Sequence, residues 1–156
     1  MAEKEFLDFC SFLSGVSLAS VPQSVVDHAK LVLLDTLGVV IAGSQNAEVD
    51  KIAKHLCLIG NRDRSATWLG RQERFNPLDT ALVSGISGSS LEYEEGNSRA
   101  MGHPLNPLTG EEVSQKFLSL AGPVIGDKRA EQFLEKLKNL ESEKHIQELT
   151  ALLRPA

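Results

Sequence analysis

Apolar residues recur at three- and four-residue steps along almost the entire chain, and that period commits it to helices. Phe6, Phe9, Leu13 and Val16 open the pattern and predict a first helix over residues 3–13. Pro22 stands where a helix takes a first-turn proline. The second helix is expected from there to Ala42, with Gly43 as its stop. Its stripe of Val25, Ala29, Val32, Leu33, Leu37, Val40 and Ile41 is wide enough for a central helix. Asn46 is placed to cap a third helix that carries Val49, Ile52, Ala53, Leu56 and Ile59 and ends at Gly60. Residues 61–64 read as a turn and residues 66–70 as a short extended piece. Asn76-Pro77 starts a fourth helix with an expected inner face of Leu78, Ala81, Leu82, Gly85, Ile86 and Ser89. Gly85 and Gly88 weaken it in isolation, and the use for them is close approach by another backbone.

Residues 95–107 lose the period and hold Gly96, Gly102, Pro104 and Pro107, the composition of a loop. Thr109 with Glu112 then has capping-box spacing ahead of Val113, Phe117 and Leu120, and Gly122-Pro123 is the expected end of that helix. Ala130, Phe133, Leu134, Leu137 and Leu140 give a sixth helix. Ser142 is placed to cap a seventh, with Ile146, Leu149, Leu152 and Leu153, stopped by Pro155. The fold class is therefore all-α, a bundle of about seven helices, and residues 1–156 are read as a single helical domain.

Several functions are excluded by the same text. Sixteen Lys and Arg against 21 Asp and Glu give a net charge of -5, so there is no basic footprint for nucleic acid. The most apolar run, residues 31–42, contains Asp35 and Thr36 and is too short to span a bilayer. The polar, acidic opening is not a secretory signal, and the expected compartment is the cytoplasm, or the mitochondrion in a eukaryote. Cys10 and Cys57 lie within helical patterns and read as small buried hydrophobes. No cofactor motif, phosphate loop or zinc spacing occurs.

One stretch has a chemical look: Glu92, Glu94 and Glu95, followed by Arg99 and His103-Pro104. Carboxylate and imidazole are the usual proton carriers near neutral pH, and crowded carboxylates raise one another's pKa. Arg99 suits a bidentate grip on a substrate carboxylate. The bland alternative is an acidic helix end on a solvated face, followed by a turn. Glu92, Glu95 and His103 match no metal-ligand spacing.

Further features lie in the order of short motifs. Ala29-Lys30, Leu33-Leu34-Asp35-Thr36-Leu37-Gly38 and Ala42-Gly43 are followed by Ala66-Thr67-Trp68-Leu69-Gly70, Asn76-Pro77 and Ala81. A small-residue helix then runs from Gly85 into the acidic segment and on to His-Pro. Over about residues 5–104 this order resembles the N-terminal part of the MmgE/PrpD family, which includes 2-methylcitrate dehydratase, cis-aconitate decarboxylase and iminodisuccinate epimerase. Asn106-Pro107-Leu108-Thr109, Glu111-Glu112, Lys116-Phe117 and residues 137–153 resemble that family's C-terminal helices. The resemblance implies an N-terminal family segment over 3–104 joined to a C-terminal one over 105–156. A long middle is then absent, and with it the small α+β domain and further catalytic Lys, His and Tyr residues.

By the same resemblance Glu92 stands at the family's catalytic Asp, one methylene longer, and His103 at its His-Pro histidine, with a spacer one residue longer. Gly96 replaces a threonine of the decarboxylase-like members. Glu92 and His103 are then the catalytic pair, and Arg99 and Glu95 the substrate-binding residues. The implied activity is a lyase, dehydratase or decarboxylase, or an epimerase, acting on a small di- or tricarboxylate without cofactor or metal, in a homodimer. Two other readings stand beside it. One is a non-catalytic helical remnant that self-associates through uncovered faces around Leu33, Val40, Leu82 and Ile86. The other is a carboxylate-binding module without turnover.

Overall fold

The computed structural model describes residues 2–59, 62–90 and 108–155. Seven α-helices and a two-stranded ribbon account for most of the described residues. The chain divides into two compact units, Met1–Lys30 and Leu31–Ala156.

In the first unit, α1 (Ala2–Gly15) is followed by a 3-10 turn, Leu18–Ser20. Ser20 closes that turn by donating its hydroxyl to the Ser17 carbonyl at 2.7 Å and accepting the Ser17 N–H at 3.1 Å. α2 (Gln23–Gly43) starts here, with Pro22 supplying the first intrahelical acceptor: the Val26 N–H donates to its carbonyl at 3.2 Å. The apolar side chains of α1 are exposed, Phe6, Phe9 and Phe12 included.

The second unit has two apolar clusters. In the larger, Leu34 and Ile41 of α2 meet α5 (Gly110–Ile125), α6 (Asp127–Lys138) and α7 (Ile146–Leu152). Phe117 and Phe133 form its centre with ring centroids 5.5 Å apart. The expected capping box is present: the Thr109 hydroxyl accepts the Glu112 N–H, and the Glu112 carboxylate accepts the Thr109 N–H at 2.7 Å. The smaller cluster packs Val49 and Ala53 of α3 (Ala47–Ile59) against Trp68, Phe75 and Val83. Here β1 (Ala66–Thr67) pairs antiparallel with β2 (Arg74–Phe75), Ala66 opposite Phe75, and α4 (Pro77–Ser90) follows. Asn46 caps α3 through the Glu48 N–H at 2.8 Å, and Asn76 caps α4 through the Asp79 N–H at 3.0 Å. Among the described residues no helix is long and apolar enough to cross a membrane.

Several expectations need correction. The buried face of α4 is Val83 and Ser87, while Leu78 is 79% and Leu82 48% exposed. The reason lies in a serine acting as a small core residue: Ser87 is fully buried because its hydroxyl is satisfied by the Val83 carbonyl at 2.7 Å. The close backbone approach is also elsewhere. A Cβ on Gly85 would meet open space, and one on Gly88 only the Val40 side chain at 3.3 Å. A Cβ on Gly43 would run into the Ser87 carbonyl, with the carbonyl carbon at 2.8 Å, so Gly43 is where α2 and α4 touch backbone to backbone.

α5 continues through Pro123 to Ile125, because a proline in the last turn removes a single bond while Ile125 is buried in the core. Gly126, at φ 93°, ends it. Ser142 lies in a 3-10 turn, its N–H held by the Asn139 carbonyl at 2.9 Å, so α7 begins after His145 instead. Of the four residues expected to be uncovered, Leu33 and Leu82 are exposed, Val40 is buried, and Ile86 packs against the smaller cluster. Both cysteines are exposed and free rather than buried.

Candidate functional site

Glu92, Glu95, Arg99 and His103 all fall between Ser90 and Leu108, outside the described residues. The described structure fixes the two ends from which that segment departs. At one end lies Ser90 of α4, whose hydroxyl donates to the Ser87 carbonyl at 2.9 Å beside the Gly43 crossing. At the other end Thr109 and Glu112 lock the first turn of α5. The two hydrogen bonds that Thr109 gives the Glu112 carboxylate, backbone first and hydroxyl second, lower its pKa below the ordinary glutamate value.

A second polar constellation, which the sequence alone did not single out, is centred on Arg71. Gly70 turns the chain at φ 78° in contact with the end of α2, where a Cβ would come within 2.9 Å of the Ile41 carbonyl oxygen. That turn aims the Arg71 guanidinium at the Ser44 carbonyl, which accepts from Nε at 2.9 Å and Nη2 at 2.7 Å. The guanidinium also lies 5.3 Å from the centroid of Trp68 and 3.6 Å from Asp50. Gln45 donates to the Gly70 carbonyl at 2.8 Å, and the Gly70 N–H donates to the Leu153 carbonyl at 2.9 Å. Arg154 donates to the Gln72 carbonyl at 2.6 Å, and Gln72 to the Pro155 carbonyl at 2.9 Å. Every contact satisfies a backbone group or a neighbouring side chain, so this is a clasp that holds residues 153–155 against the end of α2. The sequence signal that could have found it is weak: a glycine ahead of an arginine, with no periodicity.

One cavity of about 280 Å³ opens beside this clasp, lined by Asp50, Lys54, Cys57, Trp68, Glu73 and Phe75 among others. Lys54 donates to Asp50 at 2.7 Å and lowers its pKa, with Arg71 adding to the effect. Asp50 is thus an ionised, paired carboxylate, which is the opposite of a poised general base. The Trp68 Nε1–H has no partner, though its ring is only 1% exposed. Among the described residues no three His, Cys, Asp or Glu side chains come together to hold a metal.

Residues 7–110 match the model of the MmgE/PrpD N-terminal domain. The matched range takes in α2, α3, the ribbon, α4 and all four of the sequence-predicted site residues. No curated protein and no solved structure matches the chain.

Proposed function

The chain belongs to the MmgE/PrpD family, and from that membership we propose that it is a lyase-type protein acting on a small di- or tricarboxylate. The observation that carries the reading is the family match across residues 7–110, which spans Glu92 and His103. In the proposed chemistry Glu92 removes the proton alpha to a carboxylate. His103 protonates the departing hydroxyl, or returns a proton on the opposite face in an epimerase. Arg99 grips a substrate carboxylate through two parallel hydrogen bonds, and Glu95 faces a substrate hydroxyl.

The same reading makes the activity impaired. A di- or tricarboxylate carries two or three negative charges, and Arg99 and His103 are the only basic residues between Ser90 and Leu108. The described cations nearest in sequence are otherwise engaged, Arg74 with the Ser65 carbonyl at 2.6 Å and Lys116 with Asp35 at 2.8 Å. Residues 3–104 and 105–156 are proposed as the two joined family segments of one helical domain, a division supported by the core that Leu34 and Ile41 share with α5, α6 and α7. The cytoplasm is the proposed compartment. Incubation of the purified protein with 2-methylcitrate, cis-aconitate or iminodisuccinate tests the reading: slow turnover abolished by Glu92→Gln is expected. Neither binding nor turnover of any of them would refute it.

A second reading, a non-catalytic remnant that acts by self-association, is favoured by one observation. Large apolar side chains are exposed on several elements, among them Phe6, Phe12, Leu58 and Leu78. Light scattering that shows a stable monomer would refute it.

A further inference from the structure

The two apolar clusters of the second unit share no core member among the described residues. One joint between them is the crossing of α2 and α4. It is built from small residues, Gly43 against Ser87 and Gly88 against Val40, so little apolar area is shared there. Its hydroxyls are satisfied within α4. Ser87 donates to the Val83 carbonyl at 2.7 Å and Ser90 to the Ser87 carbonyl at 2.9 Å, while Ser90 reaches the Gly43 carbonyl only at 3.5 Å. The Gly43 carbonyl has a second donor in the Asn46 N–H at 3.0 Å. The two helices can part here without leaving a buried polar group unpaired.

Another joint is the turn over residues 68–72. Trp68 lies in the smaller cluster, while the next residue, Leu69, packs against the larger one. Hydrogen bonds leave this turn in two directions. Toward the end of α2, Gln45 donates to the Gly70 carbonyl at 2.8 Å and Arg71 gives two N–H groups to the Ser44 carbonyl. Toward residues 153–155, the Gly70 N–H donates to the Leu153 carbonyl at 2.9 Å. Arg154 donates to the Arg71 carbonyl at 3.4 Å and the Gln72 carbonyl at 2.6 Å, and Gln72 to the Pro155 carbonyl at 2.9 Å. Leu153 is itself a buried member of the larger cluster. The Arg71 side chain is 19% exposed and lies over Trp68, so pulling this joint apart strands several partly buried polar groups at once.

We propose that residues 153–155 are a latch that makes the two clusters open as one. Held, they tie α3, the ribbon and α4 to α5, α6 and α7. Released, the smaller cluster opens by itself while the larger one stays folded. The smaller cluster is the one that yields, because its described core has five buried residues against eleven. The latch also bears on the candidate site, because α4 leads to that segment and α5 follows it, one from each cluster.

Amide hydrogen exchange of the full chain, followed by NMR, tests the latch. With the latch held, the most protected amides of α3 and α4 should match those of α5 and α6, because both report the same opening. Shortening the chain after Leu153 removes the two bonds from Arg154 and the one to Pro155. Protection in α3 and α4 should then fall about tenfold or more below that in α5 and α6, the effect of three such bonds at the low end of their usual worth. Lys136→Gln breaks the ion pair from α6 to Glu143 and supplies a second arm. In the full chain it should lower protection in both clusters alike, and in the shortened chain in α5 and α6 alone. Arg154→Met removes the two Arg154 bonds without shortening the chain, and should give the same split with smaller amplitude even where the shortened chain does not fold. Clusters that already differ in the full chain overturn the latch. So do clusters that keep equal protection, or lose it equally, in the shortened chain and in Arg154→Met.

Discussion

The crossing of α2 and α4 makes opposite predictions for one chemical change at two glycines. A methyl on Gly43 would meet the Ser87 carbonyl group, with its carbon at 2.8 Å and the Ser90 hydroxyl at 2.7 Å. Ser90 could rotate away, but the carbonyl belongs to the α4 backbone, so the two helices must separate. Overpacking of this kind costs about 1–3 kcal/mol, and a backbone obstacle places Gly43→Ala in the upper half of that range. The gain in helix propensity, at most about 1 kcal/mol, is smaller at a helix's last residue. A net loss of about 2 kcal/mol follows from these two terms. Gly85 is also helical, but a methyl there meets nothing within 4 Å. Gly85→Ala should therefore gain most of the propensity difference, about 0.8–1 kcal/mol. Urea unfolding followed by circular dichroism measures both, with unchanged m-values showing that the states compared are the same. A Gly43→Ala protein as stable as the parent, or a Gly85→Ala protein less stable by more than about 1 kcal/mol, would refute the assigned crossing.

Further predictions follow from other contacts. Phe117→Ala removes a fully buried ring packed on Phe133, and should cost about 3–5 kcal/mol by urea titration. On α4, Val83→Ser should destabilise markedly while Leu78→Ser stays within about 0.5 kcal/mol of the parent, which checks which face is inward. Thr109→Ala removes the capping hydroxyl of α5 and should cost about 1 kcal/mol. The hydrogen bonds at Glu112 lower its folded pKa, so their stabilisation is complete above the unfolded glutamate value and is lost as pH falls through the lowered one. In an NMR titration, Thr109→Ala should move the Glu112 pKa only part of the way back, because the backbone N–H still donates.

The helical class was legible because the 3.6-residue period depends only on where large apolar side chains recur. α2, α3, α5 and α6 were readable in this way, and the caps at Asn46, Asn76 and Thr109 follow from local side-chain chemistry. The inner face of α4 was misread because Leu78 and Leu82 outweigh Ser87 on any hydropathy scale. Only the tertiary contact with Gly43 shows that a small residue is required there. The antiparallel pairing of β1 and β2 was equally hidden, since two residues per strand carry no alternation to detect. The Arg71 clasp joins residues some 80 positions apart in the chain, Arg71 and Gln72 to Arg154 and Pro155, and no local rule anticipates it. For the candidate site, residue types suggested proton transfer, whereas the roles of Glu92 and His103 came from the family resemblance and not from spacing.

The proposed alpha-proton chemistry is tested most directly by hydrogen exchange at the substrate itself. The protein is incubated in D₂O with 2-methylcitrate, cis-aconitate or iminodisuccinate, and deuterium at the carbon alpha to the carboxylate is followed by NMR. The account predicts slow incorporation into at least one of them, well below the roughly 1–10³ per second of ordinary enzymes, and its loss in Glu92→Gln. Exchange no faster than in buffer with all three, or exchange that persists undiminished in Glu92→Gln, would contradict it.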